Sequence, residues 1–321
     1  MEYERIFKPL MAGFNEDIKK NKGPSHITDL IMITIKSLIP SENYVSVNID
    51  YNRFNEEIKL WKYYRHGENT SLMNILGSIN SKVYWKHIDD TIYFRIIPIV
   101  LTNGDYTVIK KEIIKNVLFT TGNIETLIEA ILLSKLLYLI ILNEEDIMEK
   151  LKEEMINFSQ LEFLKDNEKN YRVPIEKYEG NFKVSFEQNK IYALNTLNLS
   201  FSQKFKTLQD AIEVYLDGKT GNTDIGKCIS SYFEKESSID FNLDDYYVEL
   251  VKYLYRLRKG RINPQALKIE KYYLPDIFSF NEGDVFYHSL LNKSKIIKKE
   301  ELDNTTTIFL STKSGIYKFI K

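Results

Sequence analysis

The sequence predicts a mainly α-helical protein with a small β-containing appendage at its C-terminus. Three observations carry this. Apolar residues recur at three- and four-residue spacing through the first two thirds of the chain, which is the period of one helix face. Pro40 and the run Thr121-Gly122-Asn123 fall where that pattern breaks, as helix stops and turns do. Beyond Pro264 and Pro275 the apolar residues alternate, the period of a strand.

Taken in order, Leu30, Ile31, Ile33, Ile35, Leu38 and Ile39 crowd one helical segment that Pro40 stops. Residues 51–65 form a second, with Phe54, Ile58, Leu60 and Trp61, and a third starts near Ser71. Residues 108–119 and 125–142 are two more, parted by the Thr121-Gly122-Asn123 turn. Residues 144–164 read as one helix with Ile147, Met148, Leu151, Met155 and Ile156 on one face. Around Gly180-Asn181, the alternation of Val173, Ile175, Phe182, Val184 and Phe186 predicts a small hairpin over residues 171–188. Helices resume at Ile191 and over residues 207–215, and residues 246–258 are strongly amphipathic. Residues 284–289, 305–311 and 316–320 read as strands, with Lys313-Ser314-Gly315 as a tight turn. This divides the chain into a helical domain over residues 1–262 and a small α/β appendage over residues 263–321, packed on it.

Composition narrows the function classes. With 44 basic and 45 acidic side chains the formal net charge is −1, so no global field favours nucleic acid. Cys228 is the only cysteine, which excludes an internal disulfide and a cysteine-built zinc site and fits a reducing compartment. Residues 1–22 mix charges throughout and carry no apolar signal core. The most apolar run, residues 131–142, contains Ser134 and Lys135 and is too short for a bilayer, so it reads as a core helix. The expectation is a cytoplasmic protein with neither a membrane nor a nucleic-acid partner.

Five segments have a chemical pattern beyond helix periodicity. Ser25-His26-Ile27-Thr28 opens a helix that runs to Ser37-Leu38. Phe54 is followed by Leu60-Trp61-Lys62-Tyr63 and Gly67. Phe94-Arg95-Ile96-Ile97-Pro98-Ile99 is the third, and Phe119-Thr120-Thr121-Gly122-Asn123 before an apolar helix is the fourth. The fifth runs from Asn195-Thr196-Leu197 through Thr207-Leu208-Gln209-Asp210-Ala211-Ile212 to Gly218-Lys219-Thr220-Gly221-Asn222-Thr223-Asp224-Ile225-Gly226. In this order and spacing the segments resemble the ADP-ribosylglycohydrolase family over residues 25–233. That family opens its first helix with Thr-Asp-Asp-Thr, has a Met-Arg-x-x-Pro-Ile helix, and carries Gly-Gly-Asp-x-Asp-Thr-Ile-Gly at the last segment. The resemblance implies an all-helical globule with a binuclear magnesium or manganese site. It implies hydrolysis of the glycosidic bond between ADP-ribose and its acceptor.

The departures bear on that chemistry. His26 and Ile27 stand where the family's Asp-Asp pair belongs, and Gly221 and Thr223 replace two further aspartates, with Asp224 in place of a threonine. Magnesium demands oxygen ligands in near-octahedral geometry, and a pair of dications needs carboxylates to offset its charge. Asp29 lies next to Thr28, two residues past the expected pair, and Asp224 lies one residue past an expected acid; each residue of slip is a rotation of about 100° on a helix. They are the candidate catalytic carboxylates if any activity survives. Asp89-Asp90-Thr91 stands where the family has a Gly-Asn-Gly loop, and aspartates there would repel a pyrophosphate. The resemblance places ligand contacts at Ser25, His26, Thr28, Asp89, Asp90, Thr91, Thr121, Asn222 and Thr223. The expected function is a catalytically inactive binding or regulatory scaffold with an ADP-ribose-like ligand or a protein partner. The alternative is a divergent hydrolase acting on ADP-ribosylated substrates. No metal is expected to bind; magnesium or manganese enters only if the site is rearranged rather than lost.

Other patterns carry less. His26, His66, His87 and His288 are scattered without a zinc spacing. Asp244-Asp245 reads as a helix cap, Lys298-Lys299-Glu300-Glu301 as a solvated surface run, and the basic end of residues 253–261 as a helix C-terminus complementing its dipole. Gly218-Lys219-Thr220 is no P-loop, because Glu213 stands at the first glycine position.

Overall fold

Helix starts are set by short polar side chains. Asp50, Asn69, Asn80, Asp105, Asn123 and Asn181 each accept a hydrogen bond from a backbone N–H in the first turn of the helix they precede. The computed structural model describes residues 2–43, 46–89, 91–158, 160–233 and 245–321. Asp90 and Asp244 lie outside the described residues. Fourteen α-helices occur among the described residues: α1 Glu2–Asn21, α2 His26–Ser37, α3 Tyr51–Tyr64, α4 Thr70–Leu76, α5 Ser81–Lys86, α6 Ile92–Thr102, α7 Tyr106–Thr120, α8 Ile124–Leu142, α9 Ile147–Ile156, α10 Gln160–Asn167, α11 Phe182–Leu197, α12 Lys206–Asp217, α13 Asp224–Ser230 and α14 Asp245–Arg258. Two strands, β1 Leu38–Pro40 and β2 Val47–Ile49, form a ribbon after α2. Four more, β3 Val285–His288, β4 Asn292–Leu302, β5 Thr305–Thr312 and β6 Gly315–Ile320, form an antiparallel meander at the C-terminal end.

The centre is α6 and α8. Every residue of α6 is buried, and α8 is buried on nearly all sides. Lys135 reaches the edge of α8, where its ammonium lies 3.5 Å from Glu154 and 4.0 Å from the Tyr106 ring centre. Helices α7, α9, α11 and α12 pack on α8, while α2 and α14 pack on α6. No helix among the described residues is long and apolar enough to cross a membrane.

The mainly α fold with a C-terminal β appendage is as predicted, with local corrections. Helix α2 ends at Ser37, and Leu38–Pro40 pairs with Val47–Ile49 instead of continuing the helix. Asn103 fastens this ribbon, accepting from the Val47 N–H at 2.9 Å and donating to its carbonyl at 2.9 Å. The helix expected over 144–164 is two, α9 and α10, with buried Phe158 between them. The hairpin expected over 171–188 is absent. A short 3₁₀ turn, Ile175–Lys177, precedes α11, which starts at Phe182 with Asn181 as its cap. A strand would put Phe182, Val184 and Phe186 on one face; here Phe182 and Phe186 are buried while Val184 is 51% exposed, the i, i+4 geometry of a helix. The charged run read as solvated surface lies within β4, the longest strand of the meander, where Lys298 to Glu301 pair with Phe309 to Thr306.

The meander packs on α3. Its inner face carries Phe286, Ile296, Ile308, Leu310 and Phe319, all buried. Tyr64 meets Tyr317 and Phe319 edge-on at 5.3 and 5.5 Å, and Tyr63 meets Phe278 at 5.4 Å. Behind this contact Glu57 of α3 is fully buried, with Arg53 at 3.8 Å and Lys36 of α2 at 3.9 Å balancing its charge.

Candidate functional site

The starts of α2 and α13 face each other across a cleft, and each is tied down by a carboxylate from another helix. At α2 that carboxylate is Asp17 of α1, 4% exposed. Its Oδ2 accepts from the Ser25 N–H at 2.9 Å, the Thr28 N–H at 3.1 Å and the Thr28 hydroxyl at 2.6 Å. Its Oδ1 accepts from the Ser25 hydroxyl at 2.5 Å and from Asn21 Nδ2 at 2.8 Å. Ser25 Oγ in turn accepts from the Ile27 N–H at 3.1 Å. A helix start leaves its first N–H groups without intrahelical partners, and a buried anion satisfies them while matching the dipole.

The start of α13 repeats the device with Asp210 of α12, 6% exposed. Its Oδ1 accepts from the Asn222 N–H at 2.9 Å and from Asn222 Nδ2 at 3.2 Å. Its Oδ2 accepts from the Thr223 N–H at 2.8 Å and the Thr223 hydroxyl at 2.6 Å, and Thr223 Oγ1 accepts from the Gly226 N–H at 3.0 Å. This close approach explains the glycines. A Cβ on Gly226 would lie 2.0 Å from Asp210 Oδ2, and one on Gly221 would lie 2.3 Å from the Gly226 carbonyl carbon. The position that the resemblance pairs with an aspartate therefore has no room for a side chain.

The cleft between the two starts has a volume of about 400 Å³ and is lined by Lys20, His26, Thr91, Tyr93, Asn222, Thr223 and Asp224, among others. An adjoining hollow of about 770 Å³ shares Asn222 and Thr223 and extends to Phe201 and Gln209. Of the residues singled out from sequence, His26, Thr91, Asn222, Thr223 and Asp224 share this cleft. Ser25, Thr28 and Asp89 are buried beside it and engaged internally: Asp89 accepts from the Thr91 hydroxyl at 2.6 Å and from Asn69 Nδ2 at 3.1 Å. Thr121 is elsewhere, fully buried, donating to the Tyr84 carbonyl at 3.0 Å.

The two candidate catalytic acids part company. Asp224 is on the cleft, where Lys20 lies 3.1 Å away and Lys227 3.9 Å. Asp29 is 7% exposed and does not line the cleft. Its Oδ2 accepts from Trp61 Nε1 at 3.0 Å and the His66 N–H at 2.9 Å, and its Oδ1 lies 2.9 Å from His66 Nδ1. That hydrogen bond is the main cause of a raised His66 pKa.

Sequence reasoning missed Asp17, Asp210 as a cap, and a third group behind the cleft. The Tyr93 hydroxyl donates to Glu129 Oε2, and the Leu208 N–H donates to Oε1 at 2.8 Å. Burial raises the Glu129 carboxyl to about 7. The signal for it was two acids, Glu125 and Glu129, four apart at the start of an otherwise apolar helix. Glu125 accepts from Lys204 at 3.0 Å and from the Phe205 N–H at 3.3 Å, so both acids hold the start of α12.

Among the described residues no three His, Cys, Asp or Glu side chains come together as a metal group. Among the described residues the donors on the cleft are one imidazole, neutral oxygens and the ion-paired Asp224, and this set does not fit two hard dications. No protein-family model matches the sequence, and no curated protein matches it significantly.

Proposed function

We propose that the protein is a degenerate ADP-ribosylglycohydrolase-like scaffold that binds an ADP-ribose-like ligand in the cleft between α2 and α13 without hydrolysing it. One observation carries the reading: of the acids close to the two helix starts, Asp17, Asp210 and Asp29 are held by internal donors and Asp224 by lysine. Among the described residues an attacking water beside them meets no cluster of acids fit to hold a metal pair and no unpaired carboxylate to take its proton. What remains suits recognition. Lys20 offers a cation for phosphate, Asn222 and His26 offer polar contacts, and Tyr93 and Phe94 offer aromatic wall.

A second reading, the divergent hydrolase, rests on Tyr93. It lines the cleft and is hydrogen-bonded to a carboxyl whose pKa is raised to about 7, the range of a proton-transfer group. Calorimetric titration with ADP-ribose, with and without magnesium, together with an assay for ADP-ribose release, separates the two. The scaffold reading expects metal-independent binding and no release. Release that disappears in Asp224→Ala or Tyr93→Phe would establish the hydrolase instead.

A further inference from the structure

A second concavity, of about 880 Å³, shares no lining residue with the cleft. Helix α7 builds one wall. Thr107, Lys110, Lys111, Ile114 and Lys115 fall at i, i+3, i+4, i+7 and i+8, one face of the helix. The chain from the end of α10 supplies Asp166, Lys169 and Arg172. Tyr51 and Phe119 give an aromatic patch, their rings 5.8 Å apart and inclined at 33°, with the Arg172 guanidinium 4.8 Å from the Phe119 ring centre.

The charge is one-sided. Five cations line the hollow, Lys110, Lys111, Lys115, Lys169 and Arg172, against one lining carboxylate, Asp166. Two more carboxylates reach them from outside: Glu154 lies 2.5 Å from Lys110, and Glu112 lies 3.2 Å from Lys115. Five cations less three carboxylates leaves +2 in a chain whose formal net charge is −1. Lys111, Lys169 and Arg172, all exposed, have no ion-pair partner among the described residues. A hollow of this size, half apolar and half polar in character, with unpaired cations beside an aromatic patch, has the make-up of a site for a phosphorylated planar ligand.

We propose that this hollow is a second binding site, for a nucleoside polyphosphate: the phosphates lie on Lys111, Lys169 and Arg172, and the base lies against Tyr51. The cations converge on a hollow rather than following an extended stripe, which favours a small ligand over a nucleic-acid strand.

The test is calorimetry on the full chain with ATP and with inorganic tripolyphosphate, at low and at physiological salt. ATP is expected to bind, more weakly as salt rises. The triple variant Lys111→Ala, Lys169→Ala, Arg172→Ala is expected to weaken ATP by about ten-fold or more with an unchanged melting temperature, because these side chains are exposed. Tyr51→Leu is expected to weaken ATP and leave tripolyphosphate unaffected. Lys20→Ala with Asn222→Ala, in the other cleft, is expected to leave ATP binding as it was. Absence of ATP binding at low salt, equal affinity in the triple variant, or loss of ATP binding in the cleft variant would overturn the proposal. So would tripolyphosphate binding as tightly as ATP, or an oligonucleotide binding more tightly than ATP.

Discussion

The cleft between α2 and α13 and the basic hollow on α7 are both concave and both charged, but they hold their charge differently. Asp17 and Asp210 beside the cleft are buried and accept from backbone and hydroxyl donors, and Asp224 on its wall is paired with Lys20. At the hollow, three cations face solvent with no ion-pair partner among the described residues. The difference separates buried carboxylates that build the fold from exposed cations available to a ligand. A carboxylate that satisfies helix-start N–H groups is fixed in place, and withdrawing it to bind a metal would strand those donors. An exposed lysine is tied to nothing and costs the fold little to redirect.

The largest expected effect follows from this contrast. Asp17→Ala leaves the donors of Ser25, Thr28 and Asn21 without their acceptor, and it should cost about 3–5 kcal/mol in thermal or denaturant unfolding. Stability close to that of the unaltered protein would mean that the carboxylate is free for other work.

Glu129 gives a pH dependence. Its carboxyl is raised by burial from 4.5 to about 7, so the folded state holds a proton that the unfolded chain has released. Its contribution to stability is full below pH 4.5 and is lost as pH rises to about 7. The loss should be about 3 kcal/mol at most, and Glu129→Gln should flatten that slope in melting temperatures measured across the window. Parallel pH profiles for the two proteins would contradict the assignment.

A smaller effect reports on Asp29. If its carboxylate is held by Trp61 and His66 rather than by a ligand, Asp29→Asn should bring the raised His66 pKa down toward its ordinary value, read by NMR titration. An unchanged titration would show that the pair does not persist in solution. The smallest effect belongs to the hollow: Lys111→Ala should change stability by less than about 0.5 kcal/mol.

Much of the fold was legible because local rules and tertiary structure agree. Helices α3, α7 and α8 start after Asp50, Asp105 and Asn123, and their apolar spacing runs to their observed ends. Where the sequence misled, two periods overlapped. Phe182, Val184 and Phe186 satisfy a strand and, without Val184, a helix, and only the exposure of Val184 decides. Strand β4 was hidden because it is mostly charged and polar, with Ile296 its one buried apolar residue. At the site, His26 and Ile27 meet Asn222, Thr223 and Asp224 on one cleft, a meeting of segments far apart in the chain that no local spacing shows. The roles of Asp17 and Asp210 were equally hidden, because a carboxylate capping a helix from another element leaves no local spacing to read. The absence of room at Gly221 is likewise a property of two backbones in contact, not of the residue's neighbours in sequence.

Calorimetric titration of the intact protein with ADP-ribose, in the presence and absence of magnesium, tests most directly the proposal that the cleft binds this ligand without a metal site. The same affinity is expected in both conditions, weakened in Lys20→Ala and Asn222→Ala. Binding that requires magnesium and is abolished by Asp224→Ala would contradict it, and would mean that Asp224 ligates a metal rather than pairing with lysine.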